Sequence, residues 1–213
     1  MPKKKLARFA ELDTFSNTLQ YPQEIQGKWH NEVFGDSRPI VLELGCGKGE
    51  YTIGQAQRFT EKNFIGVDIK GNRIWRGAKT ALDHGLTNVR FLRTQIELIP
   101  AYFAPGEVQE IWITFPDPQP NKPKTKKRLT SHQFMERYRQ FLAPGGIMHL
   151  KTDNRMLYEF TLEVIAEKKM HLLAHTDDLD HSPLLDDVLS IRTYYETLFR
   201  GKGMPIHYIR FSF

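Results

Sequence analysis

The chain has 213 residues, 40% hydrophobic and 12% aromatic, and a formal charge of +5 from 30 Lys and Arg against 25 Asp and Glu. That length supports one substantial core, and the basic balance admits polyanionic partners without demanding them. A single cysteine, Cys46, excludes an intramolecular disulfide framework and a multi-cysteine zinc site. No apolar run reaches the roughly 18 residues of a membrane span, and the start MPKKKLARFAEL has no apolar signal core, so a cytoplasmic protein with no membrane partner is expected.

Residues 1–25 carry Lys3, Lys4, Lys5 and Arg8 with little periodicity and read as a flexible basic arm. Residues 26–213 read as one domain, because from Pro39 short β-rich runs alternate with amphipathic stretches of helical length. That alternation predicts an α/β fold with a doubly wound, mostly parallel sheet. Strands are predicted at PIVLEL (39–44), NFIGVD (63–68), VRFLR (89–93), EIWITF (110–115), IMHLK (147–151), MHLLAH (170–175) and PIHYIRFSF (205–213). Helices are predicted over 71–84, 130–142 and 154–169. Thr130 and Gln133 form a capping box at the start of the second helix, with Leu129 and Phe134 as its hydrophobic staple, and Pro144, Gly145 and Gly146 mark its end.

The first strand runs into ELGCGKGE, which sets Gly45, Gly47 and Gly49 in a turn before a helix. Glycines there let a ligand approach the backbone at the carboxyl end of the sheet. Glu50 occupies the place where a nicotinamide fingerprint has its third glycine. Glu43 precedes the turn, and Asp68 closes the next strand where a carboxylate accepts ribose hydroxyls. Two acids would repel a pyrophosphate but suit S-adenosylmethionine, which carries an ammonium and a sulfonium. Gln95, after the third strand, is placed to meet the adenine edge.

The fourth strand ends in FPDPQPNKPKTKKR (115–128), with four prolines and five basic residues. Pro116, Pro118, Pro120 and Pro123 block further sheet pairing and hold Asp117 at the strand end. Lys122, Lys124, Lys126, Lys127 and Arg128 then form a basic loop suited to phosphates, and single-stranded RNA, with its splayed bases, fits it better than a duplex. The acidic stretch Asp177, Asp178, Asp180, His181, Asp186 and Asp187 lacks EF-hand spacing and reads as a solvated loop. His171 and His175 lie too far apart in a strand for zinc.

Together, ELGCGKGE, the acid of IGVD, FPDP, LKTDN (150–154) and RTYYE (192–196) resemble the bacterial tRNA (guanine-N7-)-methyltransferase family over about Trp29 to Phe213. The resemblance implies a class I methyltransferase sheet of seven strands with the last antiparallel. It implies S-adenosylmethionine as donor, S-adenosylhomocysteine as product, and N7 of guanine 46 in the tRNA variable loop as acceptor, with neither a metal nor an obligate protein partner. It carries the cofactor role to Glu43, Asp68, Gln95 and Asp117, and substrate binding to Asp153, Thr193, Tyr195 and Glu196. Many relatives have D-P-W-P-K where this chain has Gln119 and Asn121, so Lys122, one step on, is taken as the substrate lysine.

Guanine N7 carries a lone pair and no proton, so its attack on the methyl group needs no general base. The expected work is alignment, plus negative potential over a base that becomes cationic. Asp117 is the expected catalytic residue, and with Asp153 it would grip the N1 and N2 protons of guanine. Glu196, oriented by Thr193, is a third candidate for that role. The rival readings are a non-catalytic RNA-binding protein that keeps the fold, and a methyltransferase acting on another RNA guanine.

Overall fold

The structure, a computed structural model, describes residues 2–213, and their side chains from Leu6 onward. The side chains of Lys3, Lys4 and Lys5, part of the expected basic arm, lie outside the described ones. The chain divides into two compact units, with the boundary in the sequence between Ala104 and Pro105. No helix among the described residues is long and apolar enough to cross a membrane.

The first unit holds four parallel strands in the order β1 (Thr18–Gln20), β4 (Val89–Arg93), β3 (Asn63–Asp68), β2 (Ile40–Leu44). Every residue of β2 and β3 is buried, the pattern of parallel strands covered on both faces. The helices α2 (Glu50–Arg58) and α3 (Gly71–Asp83) follow β2 and β3 as crossovers, so the strands run in one direction and end on a common edge.

The sequence expectation differs from the structure at the start of the chain. Residues expected to form a flexible arm contain a helix, α1 (Pro2–Leu12), and strand β1, which pairs with β4 and makes the strand count eight rather than seven. The reason is tertiary. Leu12 is fully buried, the Arg8 guanidinium lies 4.5 Å from the Trp75 ring centroid, Arg93 lies 4.8 Å from that of Phe9, and Trp75 Nε1 donates to Glu11 at 2.8 Å. A three-residue strand is also too short to show alternation in a sequence.

In the second unit the order is β5 (Val108–Thr114), β6 (Leu142–Thr152), β8 (His207–Ser212), β7 (His171–Thr176). β5 and β6 are parallel, while β8 runs antiparallel to both its neighbours, as expected of the last strand. The helices are α4 (His132–Tyr138), α5 (Arg155–Glu167) and α6 (Tyr194–Arg200). α4 is shorter than predicted at both ends. Its N-cap is Ser131, because the buried Thr130 hydroxyl meets that of Thr161 in α5 at 2.8 Å and so joins two helices instead of capping one. At the other end, the residues Leu142 to Gly146 enter β6, where Leu142 pairs with Val108.

Candidate functional site

Each unit presents its candidate residues where its parallel strands end. In the first unit, Glu43 is 2% exposed, and its Oε2 accepts the Thr52 amide at 2.8 Å and the Thr52 hydroxyl. Thr52 lies in the first turn of α2, so the carboxylate satisfies an orphan amide and sits where the helix dipole favours negative charge. Asp68 spans the turn from the other side, with Oδ2 accepting Gly47 N at 3.0 Å and Oδ1 accepting Lys70 N at 2.8 Å. The two acids therefore clamp the glycine turn between β2 and β3. Gln95 is exposed at the end of β4 and begins the 3-10 turn Ile96–Tyr102.

The glycines divide by role. Gly45 and Gly47 have φ of 78° and 57°, and a side chain on either would point into open space, which leaves their backbone approachable by a ligand. Gly49 serves packing: a Cβ there would come within 2.6 Å of the Phe91 ring. It faces Gly77 of α3, whose own Cβ would lie 2.7 Å from the Lys48 carbonyl. Sequence reasoning missed Gly77, although a glycine inside a predicted helix costs about 1 kcal/mol and signals a close approach. We expect Gly77→Ala to lower unfolding free energy by about 1–3 kcal/mol in urea titration, since it drives a methyl group into backbone and not into a flexible side chain.

Burial first, then the carboxylates of Asp68 and Glu43, push the Cys46 thiol well above its ordinary range, so this cysteine is an inert filler of the turn. An approachable backbone flanked by two fixed carboxylates fits a ribose and a cationic group.

In the second unit, Asp117 and Asp153 follow paired strands, since Thr114 at the end of β5 is in register with Lys151 in β6. Phe115 has φ of 49°, a left-handed conformation rare for a bulky residue, and its amide is held by the Lys151 carbonyl at 2.8 Å. Gln119 is also left-handed, with φ of 46°. Between these two bends Asp117 is exposed, and its Oδ1 accepts Gln119 N at 3.0 Å. Asp153 is half-buried between β6 and Asn154, the N-cap of α5, and burial raises its carboxyl above the ordinary value.

The basic loop differs from its expected form at one residue. Lys122, Lys124, Lys126 and Lys127 are exposed on a 3-10 turn, but Arg128 is buried. Its guanidinium donates to the carbonyls of Pro118 and Gln119 and lies 4.4 Å from the centroid of Phe160. It braces the Pro118–Gln119 bend and does not face solvent phosphates.

The motif Thr193-x-Tyr195-Glu196 forms a capping box. The Thr193 side chain caps α6 by accepting Glu196 N at 3.1 Å, and the Glu196 carboxylate accepts a hydrogen bond from the Thr193 backbone in return. Glu196 is fully buried, its Oε2 on Lys151 Nζ at 2.9 Å and its Oε1 on Arg200 at 2.8 and 3.0 Å. The structure therefore turns Glu196 toward β6, while Tyr195 stands exposed on α6.

A family model described as a putative methyltransferase matches residues 37–209. The fold agrees with that class: a 16S rRNA methyltransferase, KamB, superposes with a TM-score of 0.67 at 15% identity, covering 89% of this chain and 94% of its own. An S-adenosylmethionine-dependent methyltransferase from Aquifex aeolicus gives 0.56 at 12% identity, covering 81% of each chain. The protein is an enzyme of the methyltransferase class. Closer relatives narrow this further. A protein of Bacteroides thetaiotaomicron named tRNA (guanine-N(7)-)-methyltransferase is 51% identical over 99% of this chain and 86% of its own, and one of the same name from Listeria monocytogenes is 35% identical over 92% and 89%. The chain belongs to the tRNA (guanine-N7-)-methyltransferase family.

Proposed function

We propose that the protein transfers the methyl group of S-adenosylmethionine to N7 of guanine 46 in the variable loop of tRNA, in the cytoplasm, with residues 26–213 acting as one methyltransferase domain. The observation that carries this reading is the 51% identity, over 99% of the chain, to a protein named for that reaction on tRNA guanine. The N7 lone pair forms the new bond to carbon as the carbon–sulfur bond breaks. Sulfur keeps that electron pair, giving S-adenosylhomocysteine, and the positive charge passes to the purine.

The chain's residues divide this work. Asp68, with Glu43 behind the turn, holds the ribose side of the cofactor, and Gly45 and Gly47 give it backbone to lie against. Gln95 meets the adenine. Asp117 and Asp153, leaving adjacent strands, accept the N1 and N2 protons of guanine and place negative potential over a ring that turns cationic. Lys122 and the neighbouring exposed lysines take phosphates. Thr193 and Glu196 act on the substrate through α6, which they fix, and Tyr195 is their exposed member. The step draws on no metal.

The test is transfer of labelled methyl from S-adenosylmethionine to an unmodified tRNA transcript, followed by chemical mapping of N7-methylguanine. We expect label at guanine 46. Cofactor and tRNA binding with no transfer would favour the non-catalytic rival, and label at a different guanine would reassign the acceptor.

A further inference from the structure

The helix α6 exposes more apolar surface than its length warrants. Of its seven residues, Tyr194, Tyr195 and Leu198 are 54%, 43% and 42% exposed. Surfaces of this kind are normally thinned by selection against aggregation unless something covers them. These side chains are also ordered into a row. The rings of Tyr194 and Tyr195 meet edge to face at 5.5 Å, Tyr195 stacks on Phe199 at 6.3 Å, and Phe199 meets Phe115 at 6.1 Å. The row thus runs from the exposed face of α6 to the strained residue two positions before Asp117.

The row is rigidly held. The capping box fixes the start of α6, Glu196 is pinned to Lys151 and Arg200, and Arg200 is itself paired with Asp180. The segment that follows its inner end leads to a turn with four exposed lysines, which Arg128 ties to the Pro118–Gln119 bend. Aromatic rings and exposed cations carried by connected segments suit single-stranded nucleic acid, in which phosphates go to the cations and unstacked bases to the rings.

We propose that Tyr194 and Tyr195, buttressed by Phe199 and Phe115, form a stacking platform for an unstacked RNA base that flanks the methylated guanine. This rests on the reading of the protein as a tRNA guanine methyltransferase and adds a site for a second nucleotide. The platform acts through ring faces, so it tolerates any base at that position. Its contribution is to hold the RNA strand open while the guanine is presented.

The experiment measures two things for wild type, Tyr194→Ala, Tyr195→Ala and Tyr195→Phe: affinity for unmodified tRNA transcript, and quenching of 2-aminopurine placed beside the guanine in a single-stranded RNA nonamer. Thermal melts and S-adenosylmethionine affinity report folding. We expect each alanine variant to weaken tRNA binding about 5- to 150-fold and to lose the quenching, with cofactor affinity and melting unchanged and Tyr195→Phe close to wild type. Alanine variants that bind and quench like wild type would overturn the platform while leaving the proposed function intact. A phenylalanine variant as weak as the alanine one would overturn stacking in favour of a hydroxyl contact. A dimer that Tyr194→Ala dissociates without loss of tRNA affinity would make the face a self-interface, and wild-type protein that binds no tRNA at all would overturn both readings.

Discussion

Lys151→Ala is expected to lower the unfolding free energy by about 3–5 kcal/mol, the range for removing one partner of a buried ion pair. Lys151 has no exposed surface, and its ammonium spends three hydrogen bonds on one neighbourhood: the Leu189 carbonyl at 2.6 Å, that of Ile191 at 3.1 Å, and Glu196 at 2.9 Å. Burial pulls this ammonium below its ordinary value and pushes the Glu196 carboxyl above its own, each opposed by the attraction of the other. Removing the lysine leaves two carbonyls and a carboxylate buried with fewer donors, and the uncompensated groups carry the cost. Arg200 remains on Glu196, which moderates the loss. Glu196→Gln keeps the shape and two acceptor–donor contacts, so it should fall between wild type and Lys151→Ala in urea titration. Lys151→Met combined with Glu196→Leu should be less damaging than the two single losses added together. It should not recover fully, because the Leu189 and Ile191 carbonyls still lose their donor. A Lys151→Ala protein within about 1 kcal/mol of wild type would show that Glu196 and the two carbonyls are left with no uncompensated charge or acceptor, and would overturn this account.

The same residues show why part of the site was legible in sequence and part was not. Among the stretches in which a threonine is followed three residues later by an amide or acid, two are instructive. At Thr130 and Gln133 the pattern predicts a capping box, and the hydroxyl is instead taken by Thr161, 31 residues away. At Thr193 and Glu196 the residues read as part of a family motif, and there the box forms. A local rule gives the options for a hydroxyl, and a tertiary neighbour chooses among them. Arg128 makes the same point, since nothing in KPKTKKR distinguishes the one cation that folds back onto Gln119 from the four that face solvent. The glycine turn and the acid that ends β3 are legible because their geometry is local: positive φ favours glycine, and Asp68 reaches Gly47 across a pairing that two adjacent parallel strands impose. The helix α1 is not, because its charged sequence hides contacts supplied by distant residues such as Trp75 and Arg93.

Asp117→Ala is expected to reduce turnover on tRNA by about 10²- to 10³-fold, the loss typical of one pre-organised polar contact in an active site, while changing S-adenosylmethionine affinity less than about threefold. The argument rests on how the residue is held. Phe115 and Gln119, left-handed on either side, present the carboxylate beyond the strand end, and the Gln119 amide fixes Oδ1. Asp117 is exposed and Oδ2 has no hydrogen-bond partner among the described residues, which leaves it available. Left-handed backbone at two non-glycine residues costs about 1–3 kcal/mol each and persists only where surrounding contacts enforce it, here the Lys151 carbonyl and the Arg128 brace. A hydrogen bond to a guanine N–H gains strength as the ring becomes cationic, so its loss raises the barrier more than it weakens binding. Asp117→Asn keeps the acceptor for the Gln119 amide but removes the charge, and should retain more turnover than Asp117→Ala with the same cofactor affinity. Single-turnover rates beside equilibrium cofactor binding decide the matter. Equal losses in both would make Asp117 a cofactor ligand, and a loss confined to KM for tRNA would make it a ground-state contact with no part in stabilising the charged purine.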